Sequence, residues 1–430
     1  MKKKVLSLML TAAMVLPMTF GGTALADEEG VTITLLTRYG DDTAVDAKAF
    51  RQGVEEYKAA HPEVTVIDES ITDETQFNNK FKTAMATGDM PTLFMTYGGG
   101  TAQSYVESGL VADLTEDLKA DQEWYDTFIP AMFDMITFDE KIYGIPYAAY
   151  ADSLYVNTAL FEQYGIELPT TIEELEAACD KFLENGVTPL PVGDKSTFRG
   201  GHLFGLLMAK RSGNEVVPKL ASRELTYEDE SVQDVFTTMK NWADKGYLGD
   251  SITTLDGEGE CQLFLTGKSP MIYRNAYFIG RIMNEMENPE TVTNLSFPYY
   301  EAYPQYENAW HGGSSDIFSI SANATEEEKA AALELLKTCT QGKYMEQRNE
   351  ETAGGFVSVL KDTPELENQT ALTTTFKENF GKMESMITEP AEYDPNPGLR
   401  DATRTAIQAM WAGESVESTI ETIQSVIDSE

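Results

Sequence analysis

Thiols are scarce in this chain: three cysteines, Cys179, Cys261 and Cys339, stand far apart among 430 residues. An odd count cannot pair fully, and each sits on an apolar helical stripe, so buried free thiols are expected rather than a disulfide framework or a cysteine metal site. Histidine is as rare, with three residues and none in a zinc-binding spacing. Basic residues are outnumbered by acids, 32 to 71. Polyanion binding needs clustered Lys and Arg to displace counterions from phosphates, so a nucleic-acid partner is excluded. Beyond the amino terminus the sequence has no apolar run of membrane-spanning length.

Several catalytic signatures are also missing. Gly267-Lys268-Ser269 resembles the end of a phosphate loop, but Gln262 holds the position of its earlier glycine. Asp256, Glu258 and Glu260 mimic the start of a calcium loop, yet Cys261 replaces its turn glycine and Gly267 its final bidentate acid. No Gly-x-Ser-x-Gly elbow occurs. No metal or other cofactor is expected. A secreted glycoside hydrolase using a carboxylate pair is the alternative that composition leaves open, because any two of the acids could face each other at the required separation.

What is present begins with Lys2, Lys3 and Lys4, an apolar run from Val5 to Phe20, and the small-residue pattern Ala24-Leu25-Ala26. This is a secretory signal peptide, residues 1–26, too short and Pro-broken for a retained anchor. Removing its three lysines takes the formal charge from −39 to −42, a solvated acidic surface suited to an exported monomer. The remaining 404 residues (430 − 26) exceed what one hydrophobic core usually supports, so two lobes are expected.

Along the chain, Val31–Leu36 alternates as a strand and feeds a helix with Asp41, Asp42 or Thr43 as cap. Val64–Ile67 and Leu93–Met95 are further strands separated by a helix around Phe77 and Phe81. Strand and helix repeating at this spacing imply a mainly parallel α/β sheet. Thr171-x-x-Glu174 and Thr325-x-x-Glu328 predict capping boxes. The polar stretch Asn288–Asn294 is a candidate interlobe crossing.

The segments FRQGVEEYKAAHPEVTV, FKTAMATGDMPTLF, GLVADLTEDL, LFLTGKSPMIYRNAY and, above all, the long run from KIYGIPYAAYADSLYVNTALF to the capped helix give the chain a specific likeness. It resembles the family 1 extracellular solute-binding proteins of ATP-driven (ABC-type) sugar importers. The resemblance implies a two-lobed, type II periplasmic-binding-protein-like α/β fold with about three hinge crossings. One lobe would comprise 27–149 plus 294–345, the other 150–293 plus 346–430. It further implies a carbohydrate ligand, membrane permease subunits as partners, and no enzymatic activity. The chain departs from the family in lacking a lipid-anchoring cysteine near the signal cleavage point, in Thr92 after the Pro of GDMP, and in Tyr273-Arg274-Asn275 where Gly-Trp is frequent.

A sugar ring offers apolar C–H faces and a rim of hydroxyls, so its site needs aromatic platforms and a few fixed polar groups in a concave cleft. Tyr97 before Gly98-Gly99-Gly100, Tyr147 at the first expected crossing, Tyr273 after GKSPM, and Trp310 before Gly312-Gly313 are the ring candidates, with Tyr150 and Tyr277 behind them. Asp152, Arg199, Arg274 and Asn275 are the polar candidates, and Gly313 allows close approach to backbone. Arg38, His202, Asp316 and Arg400 complete the wider set, Arg400 because related proteins turn that helix start toward ligand. Should Arg199 and Arg274 both face the cleft, an acidic sugar would follow.

Overall fold

The computed structural model describes residues 30–429, apart from 364, 368 and 397. The expected signal peptide, residues 1–26, lies outside the described residues. Ten strands occur among them: β1 (Thr32–Leu36), β2 (Thr65–Asp68), β3 (Leu93–Thr96), β4 (Thr137–Phe138), β5 (Lys141–Ile142), β6 (Ile145–Asn157), β7 (Met271–Asn275), β8 (Val292–Leu295), β9 (Ala309–Ile320) and β10 (Ser385–Ile387). β4 and β5 pair only with each other; the other eight form one mixed sheet.

As the strand–helix repeat implies, β1 pairs in parallel with β2 and β3. Beyond β3 the sheet turns antiparallel, running through β9, β6 and β7, with β8 also on β6 and β10 parallel to β9. β6 and β9, of 13 and 12 residues, span both halves of the molecule. The first half of β6 (Ile145, Pro146) pairs with Phe318 and Ile317; its second half meets β7 and β8. A third passage follows Leu360, bridged to Phe128, and leads to the helix Ala371–Phe380, whose Asn379 donates to the carbonyl of Asn294 on β8. The mixed two-lobed architecture is the one the resemblance implied.

Two hydrophobic cores hold it. One gathers Ile33, Leu35, Phe50, Phe94, Ile145, Phe318 and Leu335, and continues along one face of the sheet to Tyr155, Ile272 and Phe278. The other gathers Leu154, Val156, Phe182, Phe204, Phe236, Tyr273, Ile407 and Ile423. Alternation along β6 explains the division: Leu154 and Val156 point into the second core while Tyr155, between them, points into the first. A strand buried on both faces is mostly apolar, and in β6 the buried polar residues Asp152, Ser153 and Asn157 are the exceptions.

Both capping boxes form, Thr171 with Glu174 and Thr325 with Glu328. The first helix differs from expectation: Val45–Ala60 starts after Ala44, which makes no side-chain cap. Asp41 instead accepts from the Thr43 backbone and the hydroxyls of Thr43 and Thr72, closing the loop before the helix. The segment Asn288–Asn294 forms a short 3-10 turn and most of β8. All three cysteines are buried free thiols.

Candidate functional site

β6 and β9 pass each other at the centre of the sheet, where Tyr150 pairs with Gly313, Ala151 with Gly312 and Asp152 with His311. A Cβ on Gly312 would lie 2.3 Å from the Tyr150 carbonyl, and Gly313 has φ +155°. Small residues here let the long strands approach and leave backbone open beside them.

A cavity of about 580 Å³ opens at this crossing, with Gly312, Gly313 and Ser314 in its wall together with Met132, Met135 and Met386 of the first core and Tyr393, which packs against both cores. That volume suits a small-molecule ligand of a few rings. Its remaining wall includes Phe356, Phe376 and Phe380.

Next to the crossing, Phe198 and His202 lie one turn apart on the helix Phe198–Ser212. The His202 ring stacks on Tyr150 at 5.5 Å between centroids and 25° between planes, and meets the edge of Phe198 at 5.4 Å. All three rings are half-buried. Tyr150 Oη and Thr388 Oγ1 are 2.8 Å apart, Thr388 donates to Glu392 at 2.6 Å, and Arg404 donates to both Glu389 and Glu392. The result is an aromatic strip bordered by a hydrogen-bonded polar row.

Beneath it lies Asp152, 3 % exposed, whose Oδ2 is 3.1 Å from His202 Nδ1 and 2.9 Å from His311 Nδ1. Burial pushes this carboxyl up, but the two imidazole hydrogen bonds overcome it and hold the pKa far below the usual range. Burial lowers the His202 pKa despite Asp152. The three ligand-type atoms lie within 4.8 Å of one another, a spacing a divalent cation could occupy. The chemistry disfavours one: an imidazole that gives Nδ1 to a metal keeps its proton on Nε2 and needs an acceptor there. His311 Nε2 is buried without a partner, and a Cβ on neighbouring Gly205 would stand only 2.7 Å from it. Two imidazoles donating Nδ1–H to one carboxylate fit better, leaving a bare lone pair rather than an orphaned proton.

The sequence-derived candidates fall into separate groups. Tyr97 is half-buried, its hydroxyl 3.3 Å from Arg38 Nη1. Tyr147 is a core residue with no exposure, packed on Phe50 and Phe318 under the Arg348 guanidinium at 4.4 Å. Arg199, 1 % exposed, donates to both oxygens of buried Glu260 and to the Tyr273 carbonyl. Tyr273, fully buried, lies flat beneath that guanidinium at 3.9 Å. Arg274 reaches the Gly257 carbonyl and Glu260. Asn275, half-buried at the end of β7, pairs with Asp152 in the ladder. Trp310 is buried with its ring edge-on to Phe376 and Phe380.

Of the nine, then, Gly313 lines the cavity and Asp152 supports the strip, whereas Tyr147, Arg199, Tyr273 and Trp310 are interior. Their surroundings explain it: each ring completes a packed aromatic or cation-π cluster, and Arg199 is neutralised where it lies. With both arginines turned onto Glu260, the condition for an acidic sugar is not met. Phe198 was not among the sequence candidates, and no helix was expected over it; on the helix Phe198–Ser212 its four-residue spacing from His202 puts both on one face.

Tyr97 is followed by a close interlobe contact. The helix Gly99–Glu107 begins against the segment Glu392–Pro395: a Cβ on Gly99 would lie 2.2 Å from the Glu392 carbonyl oxygen, and one on Gly100 1.5 Å from that of Asp394. The glycines make room for protein backbone.

Comparison with known proteins agrees with this fold. The family described as bacterial extracellular solute-binding protein matches residues 40–345. An uncharacterized ABC transporter extracellular-binding protein of Pyrococcus horikoshii is 21 % identical over 298 residues, 64 % of this chain and 66 % of that one. A lactose-binding protein of Rhizobium radiobacter is 29 % identical over 154 residues, 34 % of this chain and 33 % of its own length. The chain thus spans less than two thirds of these curated relatives. Among solved structures, a chitin oligosaccharide binding protein superposes with TM-score 0.83 at 23 % identity, covering 93 % of this chain and 99 % of that one. The solute-binding protein RafE in complex with raffinose gives 0.72 at 16 % identity, covering 93 % and 99 %.

Proposed function

Because the chain belongs to the bacterial extracellular solute-binding protein family, we propose that it captures an uncharged carbohydrate between its lobes and delivers it to the permease subunits of an ABC importer, without transforming it. The observations that carry this reading are the cavity at the crossing of β6 and β9 and, outside its wall but next to it through the pairing of Tyr150 with Gly313, the half-buried rings of Tyr150, His202 and Phe198. Rings offer faces to sugar C–H groups, and the polar row beside them offers hydroxyl partners. The cavity wall carries three acids, Asp134, Glu365 and Glu384, against two cations, Lys361 and Lys377, and the cations beyond it, Arg404, Arg400 and Arg348, hold carboxylates of their own. This balance favours a neutral ligand over an anionic one.

Binding is coupled to hinge closure in this proposal. The moving bodies are those expected from the resemblance, 27–149 with 294–345 and 150–293 with 346–430, amended so that the whole helix Gly342–Glu351 and Leu360 go with the first, to which Arg348–Asp46 and Leu360–Phe128 tie them. A ligand that touches both bodies stabilises the closed arrangement by its differential affinity for it. Micromolar affinity corresponds to about −8 kcal/mol, within reach of a few stacked rings and hydrogen bonds. No helix among the described residues is long and apolar enough to cross a membrane. Export by cleavage after Ala26 and action as a monomer belong to the same proposal.

The test is a panel of neutral oligosaccharides read by thermal shift and by analysis of the recovered sugar. A binder present at a hundred times its Kd stabilises the fold by about 2.7 kcal/mol, and the sugar returns intact. Shortened products would establish the hydrolase instead. Attachment to insoluble glycan with no response to soluble sugar would point to an adhesion module.

A further inference from the structure

We propose that His202 is the ligand-discriminating residue of this cleft, presenting Nε2 as a hydrogen-bond acceptor to a hydroxyl of the bound carbohydrate, and that Asp152 holds it in that form. The inference deepens the carbohydrate-binding reading and rests on it.

Asp152 lies on the buried side of the His202 ring and accepts at 3.1 Å from Nδ1. A carboxylate accepts and cannot donate, so the proton of neutral His202 is placed on Nδ1 and Nε2 is left bare. The ring is rigidly seated, stacked on Tyr150 and edged by Phe198 and His311. Its side chain is nevertheless 19 % exposed, against none for His311. Among the described residues Nε2 of His202 has no hydrogen-bond partner, and unlike Nε2 of His311 it is not sealed. The same carboxylate therefore orders two imidazoles, one enclosed by Gly205 and one whose acceptor faces outward.

Most of the remaining influences on His202 favour the same state. Burial disfavours a positive ring most strongly, and His311 on β9 and Arg199 on its own helix act in the same direction. Glu392, from the turn Pro390–Glu392 and held ionised chiefly by Arg404 and Thr388, acts the other way, since its charge attracts a protonated ring. At neutral pH the neutral, Nδ1-protonated ring prevails, an acceptor matched to a hydroxyl donor; a protonated ring presents N–H instead and repels that donor.

Long-range proton–nitrogen NMR of the histidine-labelled, ligand-free protein tests the tautomer directly, since only His61, His202 and His311 contribute. His202 and His311 are expected in the Nδ1–H form at pH 7.5, and Asp152→Asn is expected to move His202 toward Nε2–H. On an immobilised array of raffinose, lactose and chitin oligosaccharides, whichever glycan the wild type retains should be held at least tenfold more weakly by His202→Phe and by Asp152→Asn. Wild-type retention should fall as pH drops below 6.5, and His202→Gln, which keeps a neutral oxygen acceptor, should remove that dependence while restoring part of the binding. An Nε2–H tautomer in the wild type, unchanged retention by both variants, or ring signals that shift on chelation or on adding zinc would each overturn the proposal. Failure of the wild type to retain any glycan, with the Nδ1–H tautomer intact, would count against the carbohydrate reading and so remove the assigned role of His202 with it.

Discussion

Gly100→Ala should hold the two lobes apart. The added methyl would sit 1.5 Å from the Asp394 carbonyl oxygen and 2.3 Å from its carbon, whereas non-bonded heavy atoms settle at roughly 3.5 Å. The obstacle is backbone, not a side chain that can swing away. Asp394 is also tied down: its buried carboxylate is gripped by Arg223, with Nη2 3.0 Å from Oδ1. Relief of about 2 Å must come from separating the helix Gly99–Glu107, which rests on the first core, from Glu392–Pro395, which adjoins the second. Overpacking of this kind costs about 1–3 kcal/mol. If the contact exists only when the lobes are shut, the whole cost falls on the closed form, and sugar affinity drops by about fivefold to 150-fold while the ligand-free protein melts almost unchanged. Calorimetry and thermal denaturation separate the two, and small-angle scattering should show a larger radius of gyration with ligand present. Gly342→Ala, where the methyl meets nothing within 4 Å, is the control. Equal destabilisation with and without sugar, at unaltered affinity, would refute the link between this contact and closure.

Trp310→Ala should cost about 3–5 kcal/mol of stability as a core truncation, because the ring is buried against Phe376 and Phe380; urea denaturation measures it, and loss of affinity with stability intact would return the ring to the ligand. Glu260→Gln leaves the Arg199 and Arg274 guanidinium groups without their shared buried charge and should destabilise by about 3 kcal/mol, with chemical denaturation again the check. Lys210, buried and pushed down to about 7 by desolvation, binds its proton more weakly in the folded than in the unfolded chain. Stability should therefore rise with pH from about 7 toward 10.5, by at most about 1.4 kcal/mol per pH unit. Denaturation at pH 7 and pH 9 should show that slope in the wild type and a flatter one in Lys210→Met.

Local features were legible wherever one short stretch of chain decides the outcome. The alternating run Val31–Leu36, the two Thr-x-x-Glu caps and the isolated apolar cysteines each carry their cause within a few residues, and each appears as expected. The site was legible only in outline. Arg199 and Tyr273 look like cleft residues in sequence, a cation beside glycines and a ring after a strand, but Glu260, 61 residues from Arg199, claims the guanidinium and buries the pair. Nothing near Arg199 announces that partner. The glycines after Tyr97 misled in the same way: a missing Cβ signals close approach, and only the fold shows that what approaches is the backbone of Glu392 and Asp394.

By itself, the sequence determined the α/β class of the fold: strand–helix alternation and apolar periodicity depend on residue type and spacing, and these are local. Tertiary structure alone decided which polar groups are satisfied by one another and which are left facing the cleft. Asp152, His202 and His311, from β6, the helix Phe198–Ser212 and β9, share one carboxylate oxygen because the two long strands bring distant segments into register. A hydrogen bond formed across 159 residues has no local signature, since its energy depends on a distance that only the folded chain creates.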